Sequence, residues 1–210
     1  NKVYEICDFF KKYENSEGLL EKLDSWVFVE WSKANDFTNR INFPSNMMYA
    51  LMIECVGRLY GDISFYQKAE ELREKIILYS YNGTFFKDDN NGSDEDKHIT
   101  EVCQYYAFFT KTATKERFPK LWEILVNDFG PINERKQEFS YVYPANAFIG
   151  NYLRMELLIK DNKKEELLNE IENGFYYMAK ETGTLWEHMS TYASCNHGFS
   201  SYILCWLNLL

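Results

Sequence analysis

Pro44-Ser45-Asn46-Met47-Met48-Tyr49-Ala50-Leu51-Met52-Ile53-Glu54-Cys55-Val56 opens on a proline and then stays apolar almost all the way round a helical wheel. Proline is at home in the first turn of a helix, where its missing N–H is not needed. A helix apolar on every side must be covered on every side. Gly61-Asp62 ends this one, and Ser64 with Gln67 reads as a capping box for the next. That second helix differs in kind: Phe65, Ala69, Leu72 and Ile76 share one face, while Lys68, Glu70, Glu71, Arg73, Glu74 and Lys75 occupy the others. An inner helix is followed by an outer one.

The alternation recurs. Thr100 to Thr112 is apolar nearly all round, and Pro119 then opens an amphipathic helix through Asn127 that stops near Gly130. Pro144 opens a third inner run from Ala145 to Ile159. A short Asp161-Asn162-Lys163 link leads to an amphipathic Lys164 to Ala179, and Ser200 to Leu210 is apolar again. The chain begins with an amphipathic helix, Val3, Ile6, Cys7, Phe10 and Tyr13 inward. Between Glu14 and Phe43 the helical period fails; Leu19, Leu20 and Leu23 suggest a short turn, and Trp26-Val27-Phe28-Val29-Glu30-Trp31 reads as strand-like.

The hairpin period is roughly 50 residues, looser than solenoid families with fixed consensus motifs. Links from inner to outer helix are short. Links from outer back to inner (Glu14 to Phe43, Asn82 to His98, Asp128 to Tyr143, Lys180 to His197) run to roughly 17 to 30 residues, lengths at which loops tend to be functional. All long loops therefore gather where the inner helices begin, an end that also carries unpaired N–H groups and partial positive charge. An inner ring of buried helices inside an outer amphipathic ring is an all-α fold, an α/α toroid. The whole chain, 1-210, reads as a single domain with no linker.

Composition narrows the function. Hydrophobic residues make up 46% of the chain and aromatic residues 18%, more aromatics than packing alone requires. Such side chains form the walls of concave sites, including those for sugar faces. A formal charge of −9, with lysines and arginines mixed among acids, excludes a nucleic-acid partner. No apolar run approaches a membrane span and no signal peptide opens the sequence. Cys7, Cys55, Cys103, Cys195 and Cys205 form no CxxC pair, and four of them lie in apolar helical runs. That argues for free thiols packed as small hydrophobes in a reduced, cytoplasmic protein without a zinc site. The acids Asp88, Asp89, Asp94, Glu95 and Asp96 flank an Asn90-Asn91-Gly92 turn and read as a solvated loop; the ligand order of an EF-hand is absent.

One loop has a different character. Gly183-Thr184-Leu185-Trp186-Glu187-His188-Met189-Ser190-Thr191-Tyr192-Ala193-Ser194-Cys195-Asn196-His197-Gly198-Phe199 has neither helical nor strand period, yet holds a carboxylate, two of the three histidines, a tryptophan and an asparagine. Too aromatic for a solvated tail, it is expected to be an ordered loop forming a site. Glu187, His188, Asn196 and His197 are its candidate polar groups. Trp31 and Trp186 are candidate sugar platforms or wall packing. Gln104 and Glu101, on the first turn of an inner helix, are expected to face the same mouth. Asp24, Glu30 and Asp36 are loop acids suited to binding hydroxyls, and the Met47-Met48-Met52 set is core.

Trp26-Val27-Phe28-Val29-Glu30-Trp31, Asn46 to Tyr60 with Gly61-Asp62, Glu101-Val102-Cys103-Gln104-Tyr105-Tyr106-Ala107, Ala147-Phe148-Ile149-Gly150-Asn151-Tyr152-Leu153, Thr184-Leu185-Trp186-Glu187 and Cys195-Asn196-His197-Gly198 follow the order seen in a known family. The chain resembles α-L-rhamnosidase-like six-hairpin glycosidases, most specifically in the Thr-Leu-Trp-Glu and Asn-His-Gly runs. The resemblance implies inverting hydrolysis by two carboxyl groups, without metal or cofactor. Glu187 would be the general base that activates water, and His197 a ligand of sugar hydroxyls, with Trp186, Trp31, Gln104, Asn196 and His188 around the substrate. The family's general acid lies upstream, in an Asp- and Arg-rich segment ending in Gly-Trp that has no counterpart here. A twelve-helix ring needs on the order of 350 residues at about 12 per helix plus loops, against about eight helices here. The resemblance therefore implies the C-terminal part of a catalytic barrel, inactive alone, with open ends that favour self-association.

Two other readings keep the toroid. A sugar epimerase or isomerase would use His188 and His197 as an acid–base pair facing one another. A carbohydrate-binding or scaffold remnant would turn Glu187 into solvent.

Overall fold

The computed structural model describes residues 2–90, 97–133 and 135–210. Helix α1 (Lys2–Lys11) is followed, after an irregular stretch, by α2 (Phe43–Tyr60) and α3 (Ile63–Ser80); then come α4 (Glu101–Phe109), α5 (Pro119–Asn127), α6 (Tyr152–Lys160), α7 (Lys164–Glu170), α8 (Tyr176–Thr182) and α9 (Ile203–Leu207). Among the described residues there is no strand, only isolated bridge pairings between loops. Helix α2 packs on α4, α4 on α6 and α6 on α9, while α2, α4 and α6 each also pack on the helix that follows them. This is an all-α architecture of the α/α type: a row of inner helices backed by outer ones.

Local chemistry sets the helix ends. The Asn42 side chain accepts from Ser45 N (2.9 Å), Pro44 sits in the first turn of α2, and Gly61 closes it in the left-handed region at φ 67°. Asp62, not Ser64, caps α3, accepting from Ser64 N at 2.9 Å. Asp62, two residues earlier, thus takes the capping role expected of Ser64. Thr100 caps α4 through Cys103 N (3.1 Å). Helix α4 is the most enclosed, with Val102, Cys103, Tyr105 and Ala107 at 0% exposure. Each large side chain buried this way contributes about 1.5–3 kcal/mol. Helix α2 is less sealed than its sequence demands, since Met48, Cys55 and Leu59 are exposed. Cys205 is exposed as well, so only Cys7 and Cys103 among the cysteines are fully packed; all five are free. In α1, Ile6 faces solvent.

The inner-to-outer links span 61–62, 110–118 and 161–163, and the return links span 12–42, 81–100, 128–151 and 183–202. The return links are laced together. Phe43 N donates to Asp88 O (2.8 Å), Asp88 N to His98 O (2.8 Å), Glu101 N to Tyr143 O (2.9 Å) and Tyr143 N to Ile99 O (2.9 Å). Asp88 and Asp89 belong to this lacing and are buried, contrary to the solvated reading: Asp88 accepts from Thr100 N and Oγ1, and Asp89 pairs with His98 Nδ1 at 2.7 Å. Asp94, Glu95 and Asp96 lie outside the described residues.

Four segments depart from the expected elements. The Trp26–Trp31 run finds no partner strand and forms a bent loop whose aromatic rings pack on one another. The third inner helix begins late: a wide turn at Ala147–Asn151 precedes α6, with Ile149 at φ 80°. The outer run from Lys164 is interrupted by another wide turn, Ile171–Phe175, and the last apolar run forms only a tight 198–202 turn and the short α9.

Candidate active site

An open hollow of about 550 Å³ lies between the loop that follows Trp26 and the 183–199 loop, walled by Glu30, Trp31, Asn35, Glu187, His188 and Tyr192. Trp31 is 38% exposed and forms part of an aromatic trio: its ring lies 4.8 Å from Phe28 and 5.6 Å from Trp26, which is itself 66% exposed. On its other side Trp31 stacks on His188, with centroids 6.2 Å apart at 29°. The loop holds this shape because Val29 N donates to Asn35 Oδ1 (2.9 Å), Ser32 caps the short 33–37 helical turn and the Tyr106 hydroxyl reaches Val29 O.

Glu30 and Asn146 tie the walls together. Glu30 is fully buried, its Oε1 accepting from Asn146 N (3.0 Å) and Gly150 N (2.7 Å), and its Oε2 is buried with no hydrogen-bond partner among the described residues. Burial pushes its carboxyl up to about 7, against the opposing pull of the Ser32 hydroxyl and the two N–H groups; the charge of Glu101 adds to the rise. Asn146 Oδ1 accepts from Ala147 N (2.8 Å) and Met189 N (2.8 Å), while its Nδ2 donates to Trp31 O (2.6 Å) and contacts His188 Nδ1 (2.6 Å). A single side chain thereby joins three loops that are far apart in sequence.

Glu187 is half-buried on the wall of the hollow, and no described residue makes a hydrogen bond or ion pair with its carboxylate. Its backbone is fixed on both sides, N donating to Ser194 O (2.9 Å) and O accepting from Phe148 N (3.3 Å). His188 is 5% exposed and meets the Tyr192 hydroxyl as well as Asn146. Burial holds its imidazole below the ordinary value, with the His197 charge acting the same way and Glu187 opposing.

Other expected site residues lie elsewhere. Gln104 does not face the mouth: it is fully buried, Oε1 accepting from Phe86 N and Nε2 donating to Phe86 O and Thr100 O. Glu101 is likewise buried, gripping Arg135, Ala145 N and the Tyr105 hydroxyl. Trp186 is packed against Tyr177 with its Nε1 donating to Thr182 Oγ1 (2.7 Å), a core position with no exposed ring face. Amide and indole groups in an apolar layer must be satisfied internally, which removes them from the surface that aromatic content alone suggested. Asp24 accepts from Tyr13, and Asp36 pairs with Lys33 on the hollow's rim.

His197 and Asn196 line a second depression of about 450 Å³ with Ile171, Phe175, Leu185 and Leu204, not the hollow that holds Glu187. The His197 ring packs on Phe148 (4.6 Å), and its Nδ1 is buried without a hydrogen-bond partner among the described residues. Contrary to the expected shared hollow, Glu187 and His197 line different depressions. A third groove, about 350 Å³ between α1 and α2, is walled by Phe10, Leu23, Phe28, Met48 and Tyr106 and carries neither an acid nor a histidine. Of these three, the Trp31–Glu187 hollow alone combines a carboxylate, a histidine and a half-exposed tryptophan. Among the described residues, no helix is long and apolar enough to cross a membrane.

No protein-family profile and no curated protein sequence matches the chain. Among solved structures, the GH78 family rhamnosidase of Bacillus sp. GL1 superimposes with a TM-score of 0.78 over 98% of this chain. The chain is similar in fold to part of a glycoside hydrolase. Sequence identity over that match is 14%, and the match spans 23% of the rhamnosidase chain.

Proposed function

We propose that the Trp31–Glu187 hollow belongs to an α-L-rhamnosidase-like inverting glycoside hydrolase and that Glu187 is its general base. The observation that carries this reading is a carboxylate with no hydrogen bond or ion pair from any described residue, in the same hollow as a half-exposed tryptophan and a histidine whose imidazole burial holds below its ordinary value. A general base needs a lone pair open to water and a fixed backbone, and a sugar's apolar face needs a flat ring beside it. The fold likeness to a rhamnosidase supports the same substrate class.

On this reading the general acid comes from a carboxyl outside these 210 residues, standing roughly 6.5–9.5 Å from Glu187 as an inverting pair does. The chain alone then leaves ordinary rhamnosides intact. A substrate whose leaving group departs without a proton isolates the base. α-L-Rhamnosyl fluoride is expected to be hydrolysed by the chain to the β-sugar, and Glu187→Gln is expected to abolish this. Hydrolysis that survives in Glu187→Gln, or release of the α-sugar, would refute the assignment. The epimerase alternative needs His188 and His197 to face one another across one pocket, and the two line different depressions, which favours the hydrolase reading.

A further inference from the structure

His188 has two ring nitrogens, and the protein fixes what each one does. The side-chain orientation of Asn146 is set by its neighbours. Two backbone N–H groups, of Ala147 and Met189, converge on one terminal atom of that amide at 2.8 Å each. Only oxygen can accept both, so that atom is Oδ1 and the other is the NH2 group. The NH2 group has two hydrogens and two partners, the carbonyl oxygen of Trp31 and Nδ1 of His188, both at 2.6 Å. Nδ1 therefore receives a hydrogen bond and carries a lone pair. The Tyr192 hydroxyl reaches the same nitrogen. In a neutral imidazole with an acceptor Nδ1, the proton sits on Nε2. Nε2 has no partner among the described residues, yet it is not among the sealed, unsatisfied atoms, and His188 lines the hollow.

We infer that Asn146 is a positioning residue that holds His188 as the neutral Nε2–H tautomer, so that the imidazole presents a fixed hydrogen-bond donor to an oxygen of a neutral polyol in the hollow. The inference rests on the carbohydrate reading for the ligand's class, and on geometry alone for the tautomer. Protonating His188 would put an N–H at Nδ1 facing the Asn146 N–H, with only the Tyr192 hydroxyl left there to accept it, so the imidazolium is disfavoured. The direction of its titration agrees: burial lowers it, as does the charge of His197, against the opposing carboxylate of Glu187. The remaining ionisable groups around the hollow are Glu30, Asp36 and Tyr192. His188 is then neither general acid nor base near neutral pH; it orients.

The test is 15N correlation spectroscopy of the His188 ring in the intact chain between pH 5 and 8. The expected result is an unprotonated Nδ1, a protonated Nε2 and a midpoint below 6.5, the ordinary value. Asn146→Asp places an acceptor opposite Nδ1 and is expected to raise that midpoint by about one unit or more while moving the proton toward Nδ1. A wild-type proton on Nδ1, or a midpoint at or above 6.5, would overturn the inference, and neither readout depends on the variant folding. Adding L-rhamnose is expected to shift the Nε2 resonance. The expected tautomer with no such shift would refute the carbohydrate reading instead.

Discussion

Gly150 N donates to Glu30 Oε1 at 2.7 Å, and a Cβ added to Gly150 would stand 2.1 Å from that same oxygen. The loop before α6 can close over the buried carboxyl only because that position has no side chain. The same added atom would stand 2.8 Å from Ala145 Cβ. Gly150→Ala is accordingly expected to destabilise the fold by about 2–3 kcal/mol, as overpacking does. It should also disturb His188 through the Asn146 backbone. Denaturant unfolding measures the first effect and the His188 ring resonances the second.

Glu30 makes stability depend on pH. Folding raises its carboxyl from an ordinary 4.5 to about 7, so the folded chain favours the protonated form. That contribution is complete below pH 4.5, falls as pH rises through the interval and is lost above about 7. Glu30→Gln keeps an acceptor for both backbone N–H groups and cannot ionise. The stability difference is expected to move in favour of the variant by up to about 3 kcal/mol between pH 4.5 and 8. Thermal melts of both proteins across that range would show it, and parallel pH profiles would contradict it.

The hairpin pattern was legible because its determinants are local. Pro44 and Pro119 open α2 and α5 where their missing N–H groups cost nothing, and the wet face of α3 declares itself in charged side chains, although Arg73 among the six is buried against Glu54. The irregular, ordered character of the 183–199 loop was legible from its lack of period. What the sequence does not display is set at long range. Pro144 looks like a helix start, but the 147–151 turn is dictated by Glu30, 120 positions away from Gly150. Asn146 carries no local signal beyond being a polar residue before an apolar run, because its partners lie 43 and 115 positions away. Gln104 and Trp186 have the right residue types for a sugar site, and only their neighbours reveal that those polar atoms are already engaged.

Arg154 offers a test of how the hairpins are joined. Its guanidinium is buried against Glu170 of α7 and also donates to the carbonyl oxygens of Leu125 and Val126 at the end of α5. Removing one member of such a pair leaves an uncompensated buried charge. Arg154→Met is expected to cost about 3–5 kcal/mol, and the double variant with Glu170→Leu distinctly less. Equal losses in the two proteins, measured by denaturant unfolding, would show that the pair does not act as a unit.

Trp31 should matter to a ligand more than to the fold, being 38% exposed beside the hollow. Trp31→Ala is expected to weaken L-rhamnose binding about tenfold, the worth of one aromatic stacking contact, while leaving thermal stability close to wild type. His197→Ala, which alters a different depression, is expected to leave that affinity unchanged. Calorimetric titration of the three proteins separates these outcomes.

The claim on which the rest depends is that a sugar enters the hollow between Trp31 and His188. Titrating the isotope-labelled chain with L-rhamnose and following indole, imidazole and backbone resonances measures this directly. The account predicts saturable shifts centred on Trp31, Glu187, His188 and Tyr192. Shifts centred instead on His197 and Leu204, or none at concentrations that saturate a millimolar site, would contradict it.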